Sequence, residues 1–317
     1  MLKSLIAQKQ TSRNPATALL IIAGFISLTG YIAPPIALAI GIALAQLLHT
    51  TIRDKTQLIA NKLLKVSIVG LGFGIPVQKA LSVSGEGLLL TIGSITFTLT
   101  IGLMLGKYLK VEKHTSFLIA AGTAICGGSA IAALAPVLQA KSREISIALG
   151  TIFSLNALAL FIFPIIGEYF HISQSHFGLW AAIAIHDTSS VVGAAKTFGK
   201  EALEIATIVK LERALWIIPL VFIVALNYKK GSRIKLPWFI FLFVGALFIP
   251  QILPKGEVIW NFIAHGARRS LTLTLLLIGA GLEFRQIKQV GWRPFMQGVI
   301  LWILIGTFSL VTIELYI

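Results

Sequence analysis

The chemistry of this 317-residue sequence concentrates in four short runs that interrupt apolar stretches. In Cys126-Gly127-Gly128-Ser129, two glycines each cost a helix about 1 kcal/mol relative to alanine, and a hydroxyl follows them. A helix broken there presents free amide N–H groups at the start of its second half, which suit an anion. The competing reading is close packing of helices on small residues. In His186-Asp187-Thr188-Ser189-Ser190, polar residues stand in a row inside another apolar run. An ionisable residue at membrane depth costs about 2.5–3.5 kcal/mol and usually faces a cavity, a partner or a transport path. Asp187 or His186 can carry a proton or a coupling ion there, and Thr188, Ser189 and Ser190 can contact a substrate. A helix end displaced to the interface is the alternative. Lys210 and Arg213 share a helix face and can draw in an anion, whereas Glu212 points elsewhere. Pairing with a neighbouring helix, or snorkelling, explains them equally well. Arg268 and Arg269 stand within a later apolar run, where they line an entry path or mark a shorter helix.

Such groups need a membrane scaffold, and the composition supplies one. Hydrophobic residues make up 56% of the chain and charged residues 12%, about half the charge of a soluble domain. Apolar stretches suited to helical spans fall at 15–33, 34–50, 58–76, 87–106, 115–139, 144–168, 176–197, 202–227, 237–252, 257–283 and 292–316. The expectation is an all-α integral membrane protein of about 10–11 transmembrane segments. It forms a single polytopic domain over 1–317, with no soluble domain inserted between the short connections. Period-2 segments are absent, which disfavours a β-barrel.

The net charge of +15 would suggest nucleic acid in a soluble chain, but here the basic residues gather in short loops. Lys3, Lys9 and Arg13, then Arg53 and Lys55, Lys107, Lys110 and Lys113, Lys229, Lys230, Arg233 and Lys235, and Arg285, Lys288 and Arg293 alternate with loops poor in charge. That pattern places the N-terminus in the cytoplasm of a multi-pass plasma-membrane protein, expected to be a bacterial inner-membrane one. No cleavable signal peptide is read at the N-terminus. The single cysteine, Cys126, leaves no internal disulfide. There is no HExxH motif and no Walker A loop, so no metal, no cofactor and no enzymatic activity are expected. Gly102-x-x-x-Gly106 is a candidate helix-packing motif.

Two internal echoes suggest repeats. Residues 115–160 match 175–220 at an offset of 60: Phe117 with Phe177, Ala124-Ile125 with Ala184-Ile185, Ser129 with Ser189, and Glu144-Ile145 with Glu204-Ile205. The second echo pairs Gly70-Leu71-Gly72-Phe73 with Gly279-Ala280-Gly281-Leu282. By the charge count these two glycine runs have opposite orientations, as in an inverted repeat. The segments at 115 and 175 run in one direction if they cross the membrane. They enter from opposite faces if each is a re-entrant hairpin, and the sequence leaves both open.

The runs ICGGSAIAALAPVLQAKSREISIALG, GLWAAIAIHDTSSVVGAA, EIATIVKLERALWIIPLV and LTLTLLLIGAGLEFRQIKQVGWRPF resemble the hallmarks of the UPF0324 membrane proteins, also labelled a sulfate exporter family. The resemblance covers about residues 15–316. It implies the cation:proton antiporter/anion transporter superfamily, an inverted repeat, broken crossing helices and a separate panel domain. One departure is Asp187-Thr188-Ser189, where relatives often carry Glu-Val-Ala.

The function expected is therefore a gradient-driven secondary transporter of a small, sulfate-like anion. Cys126, Gly127, Gly128, Ser129, Thr188, Ser189, Ser190, Lys210 and Arg213 are its expected substrate contacts. His186 or Asp187 would couple transport to H+ or Na+, and Glu212, Arg268 and Arg269 would lie along the path. A cation antiporter using Asp187 is the alternative; a membrane enzyme or scaffold lacks a nucleophile–base pair. The expected partners are the anion, the coupling ion and the lipid bilayer, with no nucleic acid and with a homodimer as a candidate assembly.

Overall fold

The computed structural model describes residues 15–45, 47, 50–227, 238–281 and 291–316. Lys3, Lys9, Arg13, Lys229, Lys230, Arg233, Lys235, Arg285 and Lys288, on which much of the expected orientation leans, lie outside them. Among the described residues the chain is all-α, with fourteen helices, one 3-10 turn and no strand. Polar backbone cannot face lipid unpaired, so helices are the natural form for a chain this apolar.

The helices gather into two compact units. The first holds α1 (Pro15–Thr29), α2 (Pro34–Ala45), α3 (Thr50–Gly72), α12 (Trp238–Ile252) and α13 (Glu257–Gly281). Within it α13 packs along α2 and α3, and the Trp238–Ile252 and Pro254–Gly281 segments meet at a bend of 103°. Glycines set the closest approach. A methyl group on Gly41 would collide with the carbonyl of Leu276, and one on Gly279 would press on the carbonyl of Leu38.

The second unit holds α4 (Val77–Tyr108), α5 (Lys113–Ala124), α6 (Gly128–Leu138), α7 (Ser142–Tyr169), α8 (Gln174–Ala184), α9 (Thr188–Phe198), α10 (Lys200–Leu215), α11 (Ile217–Asn227) and α14 (Trp292–Tyr316). Three stretches in it, Leu88–Tyr108, Ser142–Tyr169 and Trp292–Leu315, are each long and apolar enough to cross a membrane. At 1.5 Å per residue, the 28 residues of α7 reach about 42 Å.

The expected spans 115–139 and 176–197 are each split in two, and neither crosses. His114, at the start of α5, lies 3.4 Å from Glu144, at the start of α7. Between the end of α6 and the start of α7 stand only residues 139–141, which reach about 10 Å at most. Had α6 continued the course of α5, it would end about 16 Å beyond the break, and the chain could not return to His114. It folds back instead, with a methyl on Gly122 meeting Ile131 at 3.2 Å. The second segment does the same. Gln174 opens α8, and its side-chain oxygen accepts from the Glu201 amide, 3.0 Å away and just past the end of α9. Phe177 of α8 stacks on Phe198 of α9 at 3.8 Å.

Both segments are therefore re-entrant hairpins. This corrects the crossing broken helices that the family resemblance implies. Because α7 runs from the mouth of the first hairpin to that of the second, the two enter from opposite ends of α7. Half-helices of 12 and 11 residues add to about 34 Å, close to the thickness of a bilayer core, so the tips meet near the middle.

The rest of the second unit holds the hairpins in place. Gly106 of α4 lets Ser116 of α5 sit against its backbone, so Gly102-x-x-x-Gly106 does pack helices. Gln297 of α14 clamps the same spot, donating to Gly102 O at 2.8 Å and to Ser116 Oγ at 2.9 Å. At the other end of α7, Lys79 of α4 pairs with Glu204 of α10 at 3.0 Å. His176 of α8 meets Glu314 of α14, also at 3.0 Å. Around the second hairpin the core is dense with small residues, among them Ala181, Ala182, Ala184, Ala194, Ala195, Ala202 and Ala206.

Candidate functional site

The two tips touch. Gly127 adopts φ 62°, a left-handed backbone, and a methyl there would lie 3.3 Å from the carbonyl oxygen of His186 and 3.2 Å from Ile152. Glycine is required on both counts: a side chain would be strained by the backbone and crowded by the opposite tip. The 60-residue echo aligns the tips residue by residue, Ile125-Cys126-Gly127-Gly128-Ser129 against Ile185-His186-Asp187-Thr188-Ser189. Ser129 and Ser189 are each the second residue of an outgoing half-helix.

Each tip exposes two kinds of helix end. The incoming half-helices α5 and α8 finish in orphan carbonyls, the negative ends of their dipoles. Lys210 and Arg213, one turn apart on α10 and fully buried, answer them. Lys210 Nζ donates to Ala182 O at 3.1 Å and to Ile185 O at 2.8 Å. Arg213 bridges the tips: Nε donates to Ala124 O at 2.7 Å, Nη1 to Ile183 O at 2.8 Å, and Nη2 also to Ala124 O. The two cations share a face, as their spacing predicts, and these donors are spent on main chain. Among the described residues neither cation pairs with an acid of a neighbouring helix, and neither snorkels outward, the two alternatives weighed in the sequence.

The outgoing half-helices begin with free N–H groups, the positive dipole ends. At α9 the half-buried Asp187 is the N-cap, its Oδ2 accepting from the Ser189 amide at 3.1 Å and from the Ser189 hydroxyl. At α6 the equivalent position is Gly127, which has no side chain to offer. Cys126 is buried, and its sulfur interacts with the Ala130 amide and the Ser129 side chain. Sulfur is a weak acceptor, so this end is less fully satisfied than its twin. Gly128 is half-buried and Ser129 exposed, whereas at the second tip Thr188 and Ser189 are half-buried and Ser190 is buried. An anion above Gly128 and Ser129 would do for α6 what the carboxylate of Asp187 does for α9.

The side chains of His186 and Glu212, both in the second unit, have no hydrogen-bond partner among the described residues. His186 is fully buried and neither ring nitrogen is paired. Glu212 is half-buried, yet both carboxyl oxygens are shielded and unpaired. Arg268, half-buried, and Arg269, exposed, lie on α13 of the first unit. Sequence reasoning missed Asn156, near the midpoint of α7, whose Oδ1 accepts from the His186 amide at 3.1 Å and fixes the second tip. Its signal was available, a lone amide between Leu155 and Ala157. Gln297 was missed for a similar reason.

A family model described as Conserved hypothetical protein 698 matches residues 17–298. The chain is 48% identical over 295 residues to a UPF0324 membrane protein of Bacteroides thetaiotaomicron, covering 91% of this chain and 88% of that one. It is 46% identical over 300 residues to a UPF0324 membrane protein of Bdellovibrio bacteriovorus, covering 91% of each. A third, from Vibrio parahaemolyticus, is 47% identical over 289 residues, covering 89% of this chain and 93% of the relative. No solved structure matches the chain.

Proposed function

This chain belongs to the UPF0324 membrane protein family, and we propose that it is a secondary transporter carrying a small, sulfate-class anion through the point where its two hairpins meet. The observation that carries this reading is the pair of half-helices entering from opposite ends of α7, with tips in contact at Gly127 and His186. A site reached by irregular backbone from both sides is what alternating access needs, and irregular backbone at membrane depth is tolerated only where it faces protein or a wet path.

The anion sits at the under-capped start of α6, on the amides of Gly128 and Ser129 and the Ser129 hydroxyl, within reach of the second tip. Lys210 and Arg213 act chiefly by holding the tips and by lending the site positive potential. Asp187 serves as the cap of α9, which argues against it as a free cation carrier. The end of α7 that carries Lys141 and Arg143, together with Lys107, Lys110 and Lys113, is the cytoplasmic end, in a bacterial inner membrane.

The test is flux of labelled sulfate from proteoliposomes holding the purified full chain. Wild-type protein is expected to move sulfate, and Ser129→Ala to slow it. Sulfate flux no greater than in empty liposomes, together with no stabilisation by any of a panel of small oxyanions in a thermal-shift screen, would overturn the reading.

A further inference from the structure

Glu212 stands beside Arg213 on α10, and among the described residues its carboxylate caps no helix and bridges no pair. Lys210 and Arg213 neutralise the carbonyl ends of α5 and α8, and Asp187 caps α9. Glu212 lies between the two cations in sequence but off their shared face. Its carboxyl oxygens are shielded from solvent and accept no hydrogen bond. The helices packed most extensively against α10 are α4, α8, α9 and α11, and Arg213 also reaches the end of α5. The described charged or titratable side chains they bring are Lys79, Lys107 and Tyr108 from α4, Lys113 and His114 from the far end of α5, His176 from α8 and Lys196 from α9, while α11 has none and His186 and Asp187 stand in the turn before α9. Arg213, its neighbour on α10, acts on Glu212 electrostatically. A carboxylate held at this depth without hydrogen bonds is expensive, and binding a proton removes the charge.

We propose that Glu212 is the proton-binding group of the transporter, and that proton and anion occupy the site together; this rests on the anion-transport reading above. With Glu212 ionised, two carboxylates balance the two cations around the tips. With Glu212 protonated, one positive charge is left over on the α10 face that meets the tips, where Arg213 donates to Ala124 O of the first hairpin. Protonation therefore raises affinity for an anion, and a bound anion raises affinity for the proton, by the reciprocity of linked equilibria. The step balances simply: a carboxylate and a proton give the neutral acid, with no oxidant or second reactant. It assigns coupling to a residue other than Asp187 or His186, and it makes the cycle a symport in which the anion moves with the proton.

Two measurements test it, one of them independent of transport. A hydrophobic carbodiimide modifies protonated carboxyl groups shielded from water. The full-length protein in proteoliposomes is treated at a series of pH values, and the modified peptides are mapped by mass spectrometry. An adduct on Glu212 that grows as pH falls, and that is lost in Glu212→Gln, is expected. Glu212 unmodified at every pH, while other carboxyls of the membrane-embedded helices react, would overturn the proposal. In the second measurement labelled sulfate flux is followed with and without an imposed pH gradient. Stimulation by the gradient is expected in wild type, to be lost in Glu212→Gln and partly restored in Glu212→Asp. Equal stimulation in wild type and Glu212→Gln would overturn the proposal while leaving anion transport standing. A wild-type protein that moves no sulfate speaks against the transport reading, and the carbodiimide result then decides whether Glu212 binds a proton.

Discussion

Replacing Arg213 with alanine removes a side chain that ties both hairpin tips together. The guanidinium serves two carbonyl oxygens, Ala124 O on the first hairpin and Ile183 O on the second. An acceptor left unpaired in a buried setting costs about 1–3 kcal/mol, so two cost about 2–6 kcal/mol. Part of this is offset because the variant no longer buries a charge, leaving a net destabilisation of about 3 kcal/mol. At about 1.4 kcal/mol per tenfold, separation of the tips becomes roughly 100-fold more frequent. The chain carries its own reporter: Cys126 is its single cysteine and is buried beside Gly127 at the first tip. Where opening is fast relative to modification, the rate of maleimide labelling follows the open population. Arg213→Ala is expected to label about 100-fold faster than wild type. Arg213→Lys, which keeps the charge but loses the fork, is expected between the two. A labelling rate in Arg213→Ala within threefold of wild type would refute the claim that Arg213 holds the tips together.

Three further predictions use thermal unfolding of the purified protein. Gly41→Ala is expected to destabilise the first unit by about 1–3 kcal/mol, because the added methyl meets the Leu276 carbonyl, whereas Gly245→Ala, where a methyl meets nothing, is expected to raise stability by up to about 1 kcal/mol. Gln297→Leu removes the donor shared by Gly102 O and Ser116 Oγ and is expected to cost about 1–3 kcal/mol. Asp187→Ala is expected to lower stability by about 1 kcal/mol through loss of the α9 cap, while Asp187→Asn keeps an acceptor for the Ser189 amide and is expected to fall by less.

Much of the site was legible because its residues are costly where they stand. Two glycines before Ser129, and a histidine–aspartate pair before Ser189, interrupt apolar runs where the backbone does break, and the 60-residue echo sets one break against the other. The direction of travel after each break was not legible. Half-helices of 12 and 11 residues joined by three more have the length and composition of one span, and hydropathy is blind to a reversal. The contacts that decide the matter are long-range, His114 with Glu144 and Gln174 with Glu201, and neither pair has a local signature. The role of Lys210 and Arg213 was hidden for a related reason. Their spacing predicts a shared face, but not that the face looks onto the carbonyl ends of two other helices. The start of α4 at Val77, ahead of the expected 87, shows polar residues extending a helix beyond its apolar part.

The opposed hairpins are the centre of the account, and sidedness of labelling tests them most directly. With Cys126 replaced by serine, single cysteines are placed at exposed positions by the mouths of the hairpins: Lys113→Cys and Gln139→Cys for the first, Ser173→Cys and Lys200→Cys for the second. A membrane-impermeant maleimide is applied to vesicles of each orientation. If the hairpins are opposed, 113 and 139 label from one side of the membrane and 173 and 200 from the other. Labelling of 113 and 139 from opposite sides would contradict that arrangement, since the first segment would then cross the membrane.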